Sequence, residues 1–200
     1  MIIEKEGLPE YLEVYGKILF NKMMKLRPQE KGMIIKVNNK DKTHVEFQTE
    51  RYHKSYLKTP RFDKNIHGNY MFGLHNEKFG NIPDIFEPFF NFINKNEITP
   101  FNQVTINWFD NPEDFIPKHI DCQKQLLENS DILILSLGSD RQMVFLPRGL
   151  LKTFEITVKH GDIIVLKNQT GKNLHSHGIK STDNLKNYKR ISLSFRKYQI

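Results

Sequence analysis

Three features of the second half of the chain could do chemistry together: His119-x-Asp121, a histidine in His175-Ser176-His177, and the pair Arg190-x5-Arg196. Two imidazoles and one carboxylate are the facial donor set that holds non-haem Fe(II) and leaves three coordination positions open. Side chains two apart on an extended segment point the same way, so His119 and Asp121 can reach one metal. Either His175 or His177 could complete the set. In R-I-S-L-S-F-R the even separation of Arg190 and Arg196 puts both on one strand face with Ser192 and Ser194, while Ile191, Leu193 and Phe195 take the core face. Two inward guanidiniums need carboxylate partners, because unpaired buried charge is expensive. A bound dicarboxylate would meet that need, and so would an internal Asp or Glu. Together the features suit an iron-dependent oxygenase with a dicarboxylic oxoacid as co-substrate.

Two other metal sites fit poorly. A cupin also uses H-x-H on a barrel, but it needs a glutamate shortly downstream and a further histidine, and this chain has no Glu after Glu155 and no His after His177. A structural zinc site lacks thiolates, since Cys122 is the only cysteine.

Strands must position these groups. From Gln103 onward VTINWF, DILILSLG, RQMVFL, TFEITVK, DIIVLKN and YKRISLSFRKY read as strands divided by Asn, Asp, Gly and Pro turns. Residues 9–26 carry Leu12, Tyr15, Ile18, Leu19 and Met23 near a 3.6 period, which predicts a helix ending before Pro28. Short strands are expected at Met33–Val37 and His44–Gln48. A second helix is expected at Asp84–Asn94, with Pro88 tolerable near its start and its phenylalanines covering a sheet. The expected class is α+β, mainly β: a jelly-roll core, the double-stranded β-helix, with N-terminal helices packed against it. Two hundred residues suit one domain, with helical support and a recognition lid over about 1–100 and a barrel over about 101–200.

A single cysteine excludes an intramolecular disulfide and suggests a reducing compartment, cytosolic or nuclear. MIIEKEGLPE does not read as a secretory signal, and no apolar run is long enough to cross a bilayer. The net charge of +7 concentrates between Lys31 and Lys64, where nine basic residues face four acidic ones and Phe47, Tyr52, Tyr56 and Phe62 are interleaved. Cations neutralise phosphate and aromatic rings stack on bases, so this stretch suits nucleic acid; a solvated lysine-rich face has the same composition.

From Pro60 to Arg196 the sequence resembles the AlkB-like branch of the Fe(II)/2-oxoglutarate dioxygenases. The matching segments fall in order: Thr59-Pro60-Arg61 with Gly68-Asn69-Tyr70; Phe101-Asn102-Gln103 to Asn107; His119-x-Asp121; Ser136-Leu137-Gly138 with Arg141 and Phe145; His160-Gly161-Asp162; His177-Gly178-Ile179; and Arg190 to Ser194-Phe195-Arg196. Three departures stand out. Phe109 occupies the place of a tyrosine, Ser192 that of an asparagine, and Cys122-Gln123-Lys124-Gln125 contains no acid where nucleic-acid demethylases carry them.

The resemblance implies that His119, Asp121 and His177 bind Fe(II), with His175 left aside. It implies that Arg190 pairs with the distal carboxylate of 2-oxoglutarate, and that Asn107 and Arg196 hold the other carboxylate. Phe109 and Ser192 would line the same site. Arg51, Tyr52, Arg61 and Tyr70 fall where the family builds its substrate lid. The implied reaction consumes O2 and 2-oxoglutarate, releases succinate and CO2, and hydroxylates a C–H bond. On an N-methyl group the hemiaminal then collapses to formaldehyde and the free base. The expected substrate is an alkylated base in DNA or RNA, as in DNA repair, acted on by a monomer without membrane attachment. The alternative is a protein side chain or small metabolite, hydroxylated by the same chemistry.

Overall fold

The computed structural model describes residues 3–32, 34–38, 44–48, 51–58, 69–72, 75–121, 126–147, 149, 151–168 and 175–199, with the backbone alone over 34–38, 44–48, 69–72 and 75–78. Strands β1 (Ile3–Gly7), β4 (Tyr52–Leu57), β7 (Gln103–Phe109), β9 (Ile132–Gly138), β12 (Asp162–Leu166) and β14 (Arg190–Arg196) form a six-stranded sheet in the order β1-β12-β9-β14-β7-β4. A second sheet holds β8 (Ile116–His119), β10 (Arg141–Pro147), β11 (Phe154–Val158) and β13 (His175–Ile179), in the order β11-β10-β13-β8. All pairings in both are antiparallel. Two hairpins, β2 (Ile34–Asn38) with β3 (His44–Gln48) and β5 (Asn69–Phe72) with β6 (His75–Lys78), stand apart from these sheets.

Alternation explains the layering. On β14, Ile191, Leu193 and Phe195 join Val104, Ile106, Trp108, Leu135 and Leu137 in a core shared with the helices. Helix α1 (Glu10–Lys25) buries Leu12, Gly16, Met23 and Met24 there. A Cβ on Gly16 would lie 3.1 Å from Leu137, so the helix sits close to β9. Trp108 Nε1 donates to Met23 O at 2.9 Å, and His160 joins Gly138 N to the Glu13 carbonyl. After a 3-10 turn at Asp84–Phe86, α2 (Glu87–Asn94) places Phe90 5.8 Å from Phe195. The opposite face of the large sheet supplies Phe109, Ile132, Ile134 and Ile164, which meet Ile116, Met143, Phe145 and Ile179 of the small one. The two apolar layers define a jelly roll, mainly β, with its helices outside, as the sequence patterning predicted.

Two differences concern the first hundred residues. The expected division near residue 100 is less sharp, because β1 and β4 pair with β12 and β7 and complete the large sheet. The strand expected at Met33–Val37 is observed over Ile34–Asn38. No helix among the described residues is long and apolar enough to cross a membrane.

Candidate metal and co-substrate site

His119 closes β8, and His177 stands opposite it on β13 in the strand register. Their rings lie 4.6 Å apart between centroids. Asp121 follows two residues beyond His119, and one ligand atom from each of His119, Asp121 and His177 falls within 4.8 Å of the others. Gly178 is required for this meeting. A Cβ there would approach Ile116 O to 2.5 Å and Lys118 N to 3.0 Å, so any larger residue would push β13 off β8. His119 Nδ1 lies 2.9 Å from Pro117 O, and His177 Nδ1 a longer 3.4 Å from His175 O. A carbonyl can only accept, so Nδ1 carries the proton in each ring and Nε2 is left to bind a cation. His175 pairs with Pro147 on β10 and is outside the cluster, which decides between the two histidines that the sequence left open.

Burial, reinforced by His177, pushes His119 down to about 3, and burial likewise lowers His177. Both imidazoles are therefore neutral at pH 7, the form that binds metal. Burial alone would raise the Asp121 carboxyl, but Arg196 and the two imidazoles outweigh it and hold it at about 2. The set is two neutral nitrogens and one carboxylate, ready to accept a divalent ion.

The inner face of β14 carries Arg190, Ser192, Ser194 and Arg196, all buried. Arg196 is saturated by protein. Its Nε and Nη2 donate to Asp121 Oδ1 at 3.1 and 2.6 Å, and its Nη1 reaches Gln103, Thr105 and the Ser194 carbonyl. The acid that Arg196 meets within the protein is Asp121, and Arg196 also lines the cavity between the sheets. Arg190 is the opposite case. It is 0 % exposed, its Nε donates to Ser136 Oγ at 2.9 Å, and its Nη1 and Nη2 have no hydrogen-bond partner among the described residues. Burial and the neighbouring charge of Arg141 push it down to about 9, which leaves it cationic at neutral pH. The Phe109 ring lies 5.0 Å from the Arg190 guanidinium and 5.7 Å from that of Arg141.

A small cavity of about 20 Å³ between the sheets is walled by His119, His177, Asn107, Ser192, Arg196 and Arg51, among others. Of the expected substrate residues, Arg51 is in that wall. Tyr52 is not: it pairs opposite Trp108, packs on the helix-side core and lies under the Arg27 guanidinium at 5.1 Å. Arg51 and Tyr52 are adjacent in the chain and so point to opposite faces. Arg61 lies outside the described residues, and so does the side chain of Tyr70 on β5. Gln103, Ser136 and Arg141 entered the sequence reading only as motif residues without a role in the site, and Thr105 did not enter it by name. The alternation Gln103, Thr105, Asn107, Phe109 along β7 was the available signal for Gln103 and Thr105.

No family model and no curated protein matches the sequence. Solved structures do. The chain is similar to OsALKBH1, at 14% identity and a TM-score of 0.53, covering 98% of this chain and 95% of that one. It is also similar to an oxidoreductase of the 2OG-Fe(II) oxygenase family from Burkholderia pseudomallei, at 15% identity and a TM-score of 0.53, covering 96% and 82%. With its paired antiparallel sheets and its buried His-Asp-His cluster between them, the chain has the fold of the AlkB-like 2-oxoglutarate–Fe(II) oxygenases.

Proposed function

We propose that this protein is an Fe(II)- and 2-oxoglutarate-dependent oxygenase. One observation carries the reading: the barrel that brings His119, Asp121 and His177 together also buries, on β14, a guanidinium with two unpartnered nitrogens. The donor set fits Fe(II), since two neutral imidazoles and one carboxylate on one side leave the remaining positions for co-substrate and oxygen. Arg190 fits the distal carboxylate of 2-oxoglutarate, whose two oxygens match a guanidinium fork. Ser192, next on the same strand face, lines the cavity with His119 and His177. Arg196 holds Asp121 in place for the metal. Iron, oxygen and the oxoacid together would supply hydroxylation of a C–H bond, with succinate and CO2 as coproducts. The protein's part is to fix the donors and anchor the oxoacid in a buried site where polar side chains alternate with Ile116, Ile134, Met143 and Ile179.

For the substrate we favour an N-methylated base in nucleic acid. The basic and aromatic stretch from Lys31 to Lys64 supports this, because it includes the β2–β3 hairpin and leads directly into Arg51 at the cavity. A base must leave its stack to reach a site buried between two sheets. The test is to incubate the protein with Fe(II), 2-oxoglutarate and oligonucleotides carrying 1-methyladenine, 3-methylcytosine or 6-methyladenine. The expected products are succinate, formaldehyde and the demethylated base, all lost in His119→Ala. Succinate formed without methyl loss from any oligonucleotide would refute the substrate while keeping the enzyme class. The acid-free run Cys122–Gln125 favours a second reading, hydroxylation of a protein side chain or metabolite. Nucleic-acid binding that is weak and insensitive to salt would support that one.

A further inference from the structure

We infer that Arg51 is a positioning residue of the co-substrate site, acting through the amide of Asn107; the inference rests on the oxygenase reading above. Arg51 immediately precedes β4, the edge strand that pairs with β7 in the register Tyr52 with Trp108 and His53 with Asn107. Tyr52 takes the helix side of the sheet, so Arg51 turns inward and reaches the cavity. There its Nε donates to Asn107 Oδ1 at 2.7 Å, a buried hydrogen bond between residues 56 apart in the chain. Its carbonyl accepts from Gly32 N at 2.8 Å, which fixes the backbone from which the side chain extends.

The consequence concerns which end of the amide meets a ligand. The two ends of an asparagine amide differ only in whether they donate or accept. A guanidinium has donors alone, so the atom facing Arg51 is the oxygen, and the NH2 group is the other end. Asn107 is 3 % exposed, lines the cavity, and makes no other side-chain hydrogen bond among the described residues. Its two N–H groups are thereby kept for what fills the cavity, and a carboxylate or keto oxygen is the acceptor they suit. Without Arg51 the amide could turn over and present its oxygen to the oxoacid carboxylate, placing acceptor against acceptor. Arg196 does not take over this task, because Asp121 occupies its Nε and Nη2. Arg51 in this role connects the segment that follows the β2–β3 hairpin to the co-substrate rather than to the substrate.

The test uses the full chain loaded with Mn(II), which supports binding without turnover, and titrates 2-oxoglutarate by calorimetry. Arg51→Met should weaken the oxoacid roughly tenfold, the scale of one hydrogen bond to a charged group, and leave Mn(II) affinity unchanged. Asn107→Ala should weaken it about equally, and the double variant no further, because the two residues act as one unit. Arg51→Lys keeps a donor for Oδ1 and should retain affinity within about threefold of the wild type; it also serves if Arg51→Met fails to fold. With Fe(II), KM for 2-oxoglutarate should rise while kcat at saturating oxoacid stays within about twofold. Additive losses in the double variant would overturn the inference. So would unchanged oxoacid binding with a raised KM for substrate, which would make Arg51 a substrate contact. A wild-type protein that binds Mn(II) and no 2-oxoglutarate would instead overturn the oxygenase reading itself.

Discussion

The two arginines of β14 share a strand, a face and a degree of burial, and differ in one respect. Arg196 meets an internal acid, Asp121, whereas Nη1 and Nη2 of Arg190 meet no acceptor among the described residues. A buried charge costs several kcal/mol unless it is paired, so the two must be retained for different reasons. The Arg196 end is complete without a ligand and serves to hold a metal-binding carboxylate. The Arg190 end is incomplete, and what completes it must bring negative charge. On the function proposed above, one strand therefore separates a part of the site that belongs to the fold from a part that belongs to the co-substrate.

That contrast predicts opposite outcomes for the same substitution. Arg196→Met removes the cation that Asp121 meets at 2.6 Å in a buried site, and it should remove about 3–5 kcal/mol of folding stability, read by urea titration of the metal-free protein. Arg190→Met removes a charge that has no internal partner and puts an apolar chain of similar length beside Phe109. It should leave stability unchanged or raise it, while 2-oxoglutarate affinity falls about 100-fold and metal affinity holds. If both variants lose stability equally, Arg190 is a fold residue and the contrast is wrong. Gly178→Ala should weaken the metal about tenfold, since its Cβ would meet Ile116 O at 2.5 Å and separate the two histidine strands. Unchanged Mn(II) affinity in that variant would mean that β13 and β8 can part without moving His177.

Much of this was legible because period-two patterns are physical instructions. R-I-S-L-S-F-R announced a strand with a polar inner face, and its neighbours in the large sheet carry enough Val, Ile, Leu and Phe to read as strands unaided. The metal strands β8 and β13 were not legible as strands. Ile-Pro-Lys-His and His-Ser-His-Gly-Ile have little intrinsic preference for extended structure, and they are strands because β10 and each other hold them there. His119-x-Asp121 was visible as spacing, but its pairing with Arg196, 75 residues away, is a property of the closed barrel. Tyr52 shows the converse case. A run of basic and aromatic residues reports composition, while the face that each side chain takes is decided by the strand it joins, and β4 turns Tyr52 toward the helices. β4 itself went unread because Tyr-His-Lys-Ser-Tyr-Leu lacks clean alternation; buried Ser55 pairs with Thr105 at 3.1 Å, a partner that only the sheet reveals.

The smallest expected effect sharpens the contrast at the Arg190 end. Phe109 stands between two guanidiniums, 5.0 Å from Arg190 and 5.7 Å from Arg141, and offers them only the face of its ring. Phe109→Tyr adds one oxygen to a fully buried position. In the ligand-free protein the extra atom must be accommodated in a packed region, at a cost of about 1–3 kcal/mol. With the oxoacid present, the hydroxyl can donate to the distal carboxylate that Arg190 is proposed to hold, for a gain of about 0.5–1.5 kcal/mol, or roughly three- to tenfold in affinity. The variant should thus melt at a lower temperature alone yet show a larger upward shift on adding 2-oxoglutarate than the wild type does. If that shift is no larger, the hydroxyl does not reach the ligand, and the distal carboxylate lies away from the Phe109 edge.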